Sequence, residues 1–411
     1  MATVTAPAAA PAARAAYREP AYLRYIAGQT VSIVGDQVWY VALSWAAVQL
    51  ASPAVAGVVL AVSAIPRLAL MLFGGVFVDR FGPRKLMIGS DAVRAAIVLG
   101  AAGVALWSPS IALLIVVSLV FGAADAIFMP AAGAMQPRLL SKDQYPGGAA
   151  LRELTSRAAL TLGAPLGGVL VAVGGLPLAA LVDAVTFILS AVMLWTVRPR
   201  PAEGDAAPPK KTTAALRDGL GYLRRNRLVG GMVLISLLLN LGFVGPMNVG
   251  LALVSDERGW GSRGIGMLLA GFGVGAAASA FVMLKAKPKG RLGYLLAAGA
   301  VIEGVCMAGL GFAVSLTLGV VATFTAGIVA GLMGVTSSSL VQTNTDDAYR
   351  GRVSSVSMFA NLGITPLAIA ATGVAVDAFG LEATFAASAL LSLAAAALTL
   401  TMRQVRRARL D

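Results

Sequence analysis

The chain has 411 residues, of which 58% are hydrophobic and 12% are charged, and its mean hydropathy is +0.82. A soluble globular chain is about a quarter charged, so this composition excludes an ordinary soluble domain and indicates a protein that crosses a membrane many times. The formal net charge is +13, histidine is absent, and the single cysteine excludes an intramolecular disulfide.

The order of polar and apolar segments predicts the membrane topology. Residues 1–21 are rich in alanine and proline, which favours a disordered tail over a signal peptide. Apolar runs of about 20 residues, enough for one helix to cross the hydrocarbon core, then recur along the chain. The twelve predicted spans are 22–50, 54–78, 86–107, 110–133, 150–173, 176–197, 228–253, 263–285, 292–313, 316–340, 354–376 and 382–402. The predicted fold class is an all-α polytopic membrane protein.

Lysine and arginine concentrate in alternate connections between the spans. The connection 285–291 carries four basic residues, whereas the connection 51–53 carries none. Of the 32 basic residues, all but three are placed on the side of the N-terminus; Arg258 and Arg263 fall opposite, and Arg67 lies within a span. Because basic connections stay in the cytoplasm, both termini are predicted to be cytoplasmic, and the positive charge requires no nucleic-acid partner.

The longest hydrophilic stretch divides the chain into two halves. Residues 199–227 are predicted to be a cytoplasmic linker that includes a short amphipathic helix at the membrane surface. Residues 22–198 and 228–402 then form two six-helix bundles, and 403–411 form a second tail. The sequence Leu162-Gly163-Ala164-Pro165-Leu166 recurs imperfectly about 200 residues later, which indicates a duplicated six-helix unit.

A dense group of charges follows the second span. Gly75 would let this span approach a neighbour closely, and Gly82 would supply a tight turn. An acid among bases needs a partner, and Asp79 can accept backbone N–H groups at the start of another helix. The group is predicted to form a cytoplasmic gate, and the alternative is a basic anchor with a turn. The predicted gate residues are Gly75, Asp79, Arg80, Gly82, Arg84, Lys85, Asp91 and Arg94.

Five of the charged residues inside predicted spans are candidate functional groups: Asp36, Arg67, Asp125, Asp183 and Glu303. A charge at the centre of a span costs at least ~2.5–3.5 kcal/mol and is functional by default. Without histidine, a proton carrier in the membrane has to be a carboxylate. Asp36 is the first candidate and Glu303 the second, while Asp125 and Asp183 have either a coupling or a packing role. Two alternatives stay open: Asp36 is held in an ion pair with Arg67 and carries protons poorly, or Arg67 binds an anionic group of a substrate.

The pattern Gly75-x-x-x-Asp79-Arg80-x-Gly82-x-Arg84-Lys85, together with twelve spans and a duplicated half, resembles the loop 2–3 signature of the major facilitator superfamily. The resemblance implies a secondary transporter in which two six-helix bundles rock about a central cavity. It also implies that Asp79 meets the start of span eleven, near Ser354 and Ser355, when the cytoplasmic side is shut.

Three further segments resemble one branch of this superfamily, the group that contains macrolide-efflux proteins and the enterobactin exporter. These segments are 28–37, 65–67 and 122–130. The branch implies that small amphipathic molecules, such as drugs and antibiotics, are exported in exchange for protons. Aromatic, methionine and amide side chains suit an adaptable apolar cavity with a few hydrogen-bonding groups, although plain helix packing is the alternative. The predicted cavity residues are Trp39, Tyr40, Arg67, Met129, Asn240, Phe243 and Met247.

A glycine and proline motif in span five resembles the antiporter signature of the superfamily. Its residues are Gly163, Pro165, Gly167 and Gly168. The proline removes a helix hydrogen bond and bends the span, and the glycines permit close helix contact. The motif favours antiport, and ordinary small-residue packing is the alternative.

The sequence does not indicate a nucleotide-binding, metal or enzyme site. The glycines of 271–275 lie inside a span without a preceding strand, and the chain has no phosphate-binding Gly-x-x-x-x-Gly-Lys-Ser/Thr loop. No enzyme activity, metal or cofactor is predicted. The expected partners are a small molecule, protons and the lipid bilayer of the bacterial cell membrane, and the expected state is a monomer. The alternatives are a dedicated exporter of one metabolite or siderophore, and a non-transporting scramblase or sensor on the same scaffold.

Overall fold

The structure is a computed structural model that describes residues 16–71, 73–200, 212–285, 290–346 and 349–408. Of the predicted disordered tail, 1–21, residues 1–15 lie outside the described residues. Residues 16–21 are ordered instead, with a 3-10 turn at Ala16–Arg18 and a long helix that begins at Pro20. The Pro/Ala stretch 201–211 of the linker and the end of the second tail, 409–411, also lie outside the described residues.

The regular elements in the described ranges are helices, and most of the predicted spans are covered by one helix each. Predicted span two is instead divided among three helices, and span seven is interrupted by a π-helical turn, Pro246–Gly250. The amino-terminal half contains α1 (Pro20–Leu50), α2 (Pro53–Ala61), α3 (Ala64–Met71), α4 (Gly74–Phe81), α5 (Pro83–Trp107), α6 (Ile111–Leu139) and α7 (Tyr145–Thr196). A helix in the linker, α8 (Thr212–Arg225), follows. The carboxy-terminal half contains α9 (Arg227–Gly245), α10 (Leu251–Glu257), α11 (Gly261–Lys285), α12 (Leu292–Gly311), α13 (Leu316–Thr343), α14 (Arg350–Phe379), α15 (Leu381–Thr401) and α16 (Arg403–Arg406).

These helices make the twelve predicted crossings. Within the described ranges, ten helical segments are long and apolar enough to cross a membrane. One of them, Lys142–Thr196, has 55 residues, more than twice the length that one crossing needs. It turns at Gly175, whose φ of 64° lies in the region that favours glycine, and so supplies spans five and six. The 25-residue α11 supplies span eight.

The charged connection after span two contains the predicted tight turn. Helix α4 ends at Phe81 and α5 begins at Pro83, so a single residue joins the two helices. That residue, Gly82, has a φ of 78°, which an L-residue with a side chain rarely adopts. The expected glycine turn is therefore present.

The spans run between two faces of the bundle. The terminal face carries the ends of helices at Pro20, Phe81 and Thr401, and the far face carries the ends at Leu50 and Trp107. The two halves meet most closely near the far face, where buried residues of both halves form one continuous apolar cluster.

Two helix crossings join the halves near the far face, and both are made by pairs of glycines. A methyl group at Gly57 of α2 would lie 3.1 Å from the Cα of Gly373 in α14. In the second crossing, a methyl group at Gly168 of α7 would lie 3.2 Å from the Cα of Gly266 in α11. The first crossing joins span two to span eleven, and the second joins span five to span eight. Spans two and eight, and spans five and eleven, are equivalent positions in the two halves, so a duplicated six-helix unit produces this symmetric pairing.

The far face is closed and the terminal side is open. Gln49 Nε2 donates a 2.5 Å hydrogen bond to Asp256 Oδ1 across the halves at the far face. Toward the terminal face, by contrast, Asp79 near the end of α4 and Ser354 near the start of α14 are both exposed, and Arg157, which lines the space between the halves, is half-exposed. A cavity between the halves is therefore accessible from the terminal side.

Candidate functional site

Among the described residues, three cavities that share lining residues lie in the space between the halves. A cavity of about 300 Å³ lies between α1, α3, α6 and α14, and one of about 420 Å³ lies between α1, α7, α9 and α11. They share Gln37, Tyr40 and Asn248, and the hydroxyl of Tyr40 donates a 2.8 Å hydrogen bond to Asn248 Oδ1 across the halves. A third cavity of about 450 Å³ continues from Arg157 and Phe272 toward α13. We call this connected space the central cavity.

A buried arginine organises the charges of the amino-terminal half. Arg94 Nη2 lies 2.7 Å from Asp91 Oδ1, and Arg94 Nη1 lies 3.2 Å from Asp36 Oδ1. The rings of Phe128 and Phe187 enclose the guanidinium from 4.6 and 4.4 Å. The arginine side chain is 1% exposed, so its charge is balanced by these carboxylates and by the electron-rich ring faces rather than by water.

A second ion pair extends this group to the cavity wall. Arg67 Nη2 lies 2.6 Å from Asp125 Oδ2, and Asp125 Oδ1 lies 3.5 Å from Arg94. The connected group contains the carboxylates of Asp36, Asp91 and Asp125 and two guanidinium groups, so it holds one more acid than base. We call these five residues the acid–arginine cluster. The extra carboxylate can take up a proton while each arginine keeps an acidic partner.

The cluster opens to the cavity at two of its three acids. The side chains of Asp36 and Asp125 are 34% and 25% exposed, and both line the 300 Å³ cavity. Asp91 is fully buried, and its second oxygen accepts a 2.7 Å hydrogen bond from Ser190. Asp36 is thus paired with Arg94, and the predicted alternative pair of Asp36 with Arg67 is not the one observed.

The other two predicted coupling acids lie in different surroundings. Asp183 is fully buried where α1 approaches α7 at Gly35, and it accepts a hydrogen bond from Thr186. Glu303 is 5% exposed and lines a side cavity of about 210 Å³ within the carboxy-terminal half. Neither acid joins the acid–arginine cluster.

The predicted cavity residues divide between the cavities. Trp39, Tyr40 and Arg67 line the 300 Å³ cavity, and Phe243 and Met247 line the 420 Å³ cavity. Asn240 lines the side cavity instead. Met129 is exposed and stands one helical turn from Asp125 on the same side of α6, toward the terminal face.

The predicted gate residues do not form one group. Asp79 and Lys85 are exposed, and Arg80 lies over the ring of Phe81. A methyl group at Gly75 would meet no atom within 4 Å. Arg84 donates a 3.0 Å hydrogen bond to the carbonyl of Leu194 and a second one to the carbonyl of Trp195, which ties α5 to the end of α7.

Two of the residues assigned to the gate need correction. Asp91 and Arg94 are buried inside the amino-terminal half, in the acid–arginine cluster, rather than at the terminal face. Helix α5 starts at Pro83, so Arg94 lies three turns along it, about 17 Å from its start. The run of charges in the sequence continues from the turn into the helix, which hid this change of depth.

The glycine and proline motif of span five serves two contacts. Methyl groups at Gly163 and Gly167 would strike the backbone of α1 at Val34 and Val38. On the other side of the helix, Gly168 and Pro165 face α11 at Gly266, and the Ser262 hydroxyl donates a 3.1 Å hydrogen bond to the Gly168 carbonyl. The motif therefore packs span five within its own half and against the other half in the state observed.

One charged residue of the central cavity, Arg157, and its ion-pair partner Glu153 were not predicted from the sequence. Arg157 lines both the 420 and the 450 Å³ cavity, and its Nε lies 2.7 Å from Glu153 Oε1. The distribution of basic residues predicts Arg157 on the basic side, but α7 begins at Tyr145, so Arg157 lies about 18 Å along the helix. The i,i+4 spacing of Glu153 and Arg157 is the signal that would have placed both on one helix face.

In the described ranges, no group of three or more His, Cys, Asp or Glu residues is arranged to hold a metal ion.

Comparisons with known proteins agree with this architecture. The chain is 27% identical to the uncharacterized MFS-type transporter YfiS of Bacillus subtilis, over 93% of each chain. It is 26% identical to the multidrug efflux pump Tap of Mycobacterium bovis, over 91% of each chain. It is also 26% identical to the enterobactin exporter EntS of Shigella boydii, over 69% of this chain and 67% of the relative.

A solved structure shares the fold at low sequence identity. The crystal structure of a mutant of the nucleoside transporter NupG superposes with a TM-score of 0.76 at 13% identity, covering 93% of this chain and 100% of that one. The family profile of the Major Facilitator Superfamily matches residues 25–364. The predicted resemblance is confirmed, and the chain belongs to the major facilitator superfamily as a membrane transporter rather than an enzyme.

Proposed function

We propose that this transporter exports small amphipathic molecules in exchange for protons by alternating access. The observation that carries the proposal is the acid–arginine cluster, which has one more carboxylate than guanidinium groups and lines the central cavity through Asp36 and Asp125. A buried acid in a membrane protein is costly unless it is paired or functional. The one carboxylate in excess of the two guanidinium groups supports exchange of a proton at the cavity wall.

Asp36 is the proposed proton site. Its side chain lines the cavity and forms an ion pair with Arg94, so protonation of Asp36 removes this ion pair. When Asp36 is protonated, Arg94 loses one of its partners and rests on Asp91 and Asp125. This shift alters how α1, α5 and α6 hold together, which is the kind of differential contact that two conformations of a transporter require.

The terminal face is proposed to be cytoplasmic, with both termini inside a bacterial cell membrane. Its connections carry most of the lysine and arginine residues, and basic connections are retained in the cytoplasm. In this orientation the observed state is open to the cytoplasm. It is therefore the state that takes up a substrate for export.

The predicted role of Asp79 belongs to the opposite state. With the terminal side open, Asp79 and Ser354 at the start of α14 are both exposed. Rocking of the halves about the far-face crossings would bring the ends of α4 and α14 together. We propose that Asp79 then accepts N–H groups at the start of α14, where the helix dipole favours an anion.

The cavity lining supports a substrate that is partly apolar. The 420 Å³ cavity has Phe243, Met247 and Phe272 on its wall, together with the amides of Gln37 and Asn248. Its volume lies within the range of about 300–1,000 Å³ that drug-sized ligands occupy. Two relatives, the multidrug efflux pump Tap and the enterobactin exporter EntS, agree by their names with export of such molecules.

Everted membrane vesicles containing this chain provide the test. With an acidic lumen, a transported drug should raise the luminal pH, and an uncoupler should abolish the signal. Asp36→Asn should abolish drug-induced alkalinisation, whereas Asp143→Asn, at an exposed acid, should leave it unchanged. Alkalinisation retained in folded, inserted Asp36→Asn protein would exclude Asp36 as the proton site.

A panel of chemically unlike dyes separates this proposal from the two alternatives. An exporter of amphipathic molecules in general should accumulate several of them, whereas a dedicated exporter of one metabolite or siderophore should ignore most. A scramblase or sensor should show no gradient-dependent accumulation of any dye.

A further inference from the structure

The carboxy-terminal half contains a separate side cavity of about 210 Å³, lined by residues of α9, α12 and α13. Glu303 of α12 lies on its wall, deep in the half and 5% exposed. The remaining wall combines apolar side chains such as Met333 and Phe243 with the polar side chains of Ser236 and Asn240. Glu303 is the one charged residue among the described residues that line this cavity.

The carboxylate of Glu303 has acceptor capacity left over. Within the described chain, its recorded hydrogen bond is a 3.2 Å bond that the Ser392 hydroxyl donates to Oε1. An ionised carboxylate offers about four acceptor positions, and a buried one is costly without a cation. Asp36 in the other half has Arg94 at 3.2 Å, but the described lining of the side cavity contains no lysine or arginine.

The side cavity adjoins the central cavity at Phe243, whose side chain lines both. The rings of Phe243 and Phe272 lie 5.7 Å apart and form an aromatic surface at this junction. At about 210 Å³ the side cavity is smaller than the pockets of about 300 Å³ and above that hold whole drug-sized ligands. It therefore fits one end of a molecule whose remainder lies in the central cavity.

We propose that the side cavity binds the cationic head of an amphipathic organic cation, with an ammonium group against Glu303 and the apolar body across Phe243 and Phe272. The anionic carboxylate supplies the missing charge, and the aromatic ring adds a cation–π contact. The proposal rests on the proposed export function and names a substrate class for it. It also separates two roles: Asp36 exchanges the proton and Glu303 selects the charge of the substrate.

A matched pair of fluorescent probes tests the proposal. Both carry the same dansyl-labelled alkyl chain, one with a trimethylammonium head and the other with a neutral tert-butyl head of the same shape. The purified full-length protein in detergent should bind the cationic probe about tenfold more tightly or better, which is the size of one contact to a charged group. Glu303→Gln should remove this preference and leave the affinity for the neutral probe unchanged, which also reports a folded cavity. The control Asp143→Asn should keep the preference.

Two results would overturn the proposal. One is equal binding of the two probes by the unaltered protein, or a preference that survives in Glu303→Gln. The other is loss of proton-linked transport of the neutral probe in vesicles containing Glu303→Gln, because that would make Glu303 a proton site. Failure of the export function is distinguishable from both: the probe preference would persist in detergent while vesicles show no gradient-driven uptake.

Discussion

Nη1 of Arg94 lies 3.2 Å from Oδ1 of Asp36, and this ion pair joins the third span to the first inside the amino-terminal half. The pair has unequal surroundings, since the arginine side chain is 1% exposed and the aspartate side chain is 34% exposed to the cavity. The carboxylate of Asp36 can therefore exchange protons with water in the cavity, whereas the guanidinium of Arg94 has no access to that water. For this reason, we expect loss of the Arg94 charge to affect stability and loss of the Asp36 charge to affect the proposed proton coupling.

Replacement of Arg94 by methionine should destabilise the protein strongly. The change leaves the buried carboxylate of Asp91 without its partner at 2.7 Å, and breaking a buried ion pair in this way costs about 3–5 kcal/mol. Unfolding of the purified protein in detergent measures the loss. A second replacement, Asp91→Asn, should recover part of it, because the uncompensated charge is then absent.

The exposed ion pair of Glu153 with Arg157, at the edge of the central cavity, provides the matched control. Glu153 and Arg157 are 61% and 51% exposed in their side chains, and an exposed i,i+4 pair contributes about 0.3–0.5 kcal/mol. Arg157→Met should therefore leave the unfolding transition nearly unchanged. A loss as large as that of Arg94→Met would contradict the assignment of these two arginines to different environments.

Enlarging a far-face glycine should reverse the side from which the cavity is open. A side chain at Gly57 would press on the backbone of α14, where Ile369 O is 3.0 Å from a methyl group, and a backbone cannot move aside as a side chain can. Gly57→Leu is therefore incompatible with the observed closed far face. Gly103→Leu is the control, since a methyl group at Gly103 meets no atom within 4 Å.

Sidedness of labelling measures this reversal. With the buried Cys306 replaced by alanine, a single cysteine at Thr365, which lines the cavity, reports access for a membrane-impermeant maleimide. The parent protein and Gly103→Leu should label in everted vesicles, and Gly57→Leu should label in right-side-out vesicles. Labelling of Gly57→Leu from the cytoplasmic side alone would show that the glycine crossing does not set the state.

The spans were predictable from the sequence and the charge pairs were not, for a physical reason. A helix in lipid must be apolar for about 20 consecutive residues, so the sequence alone shows where each span lies. Pairing depends instead on the rotation and depth of each helix within the bundle. Asp36 and Arg67 both stand midway along neighbouring spans, yet Asp36 meets Arg94 and Arg67 meets Asp125.

Helix starts account for the charges whose depth was misjudged. A hydropathy boundary marks where apolar residues begin, whereas α5 and α7 begin at Pro83 and Tyr145, before their apolar stretches. Arg94 and Arg157 stand about three turns beyond these starts, so they lie inside the bundle although their charged runs begin near the terminal face. Helix caps and i,i+3 or i,i+4 spacing could have located the acid–arginine cluster and Arg157, but hydropathy alone could not.

Arg84 should stabilise the amino-terminal half through the end of α7. The last carbonyl groups of a helix have no partner within it, and a cation there also faces the negative end of the helix dipole. Arg84→Gln removes bonds from a charged donor to the carbonyls of Leu194 and Trp195, and the expected loss is about 1.5–3 kcal/mol in detergent unfolding. Lys85→Gln, at the exposed neighbour, should change stability by about 0.5 kcal/mol or less. Unchanged stability with slowed transport in Arg84→Gln would instead support the predicted gate role.

The linker helix should be docked on the start of span eleven through one glycine. A methyl group at Gly219 of α8 would lie 2.9 Å from the carbonyl oxygen of Arg352 and 2.8 Å from Val356 Cγ2. The rings of Tyr222 and Tyr349 stack beside it with centroids 4.6 Å apart. Because these contacts fix α8 to α14, we expect the helix to move with the carboxy-terminal half in the proposed rocking motion.

Gly219→Leu should undock this helix, and Gly221→Leu should not, because a methyl group at Gly221 meets no atom within 4 Å. Overpacking of a close contact costs about 1–3 kcal/mol, so the undocked population rises and trypsin should cleave after Arg217 about tenfold faster. The cleavage rate of the native protein in detergent, followed by mass spectrometry, measures the change. Equal rates for the two leucine variants would mean that α8 is held by the linker alone, and the coupling of the helix to span eleven would be lost with it.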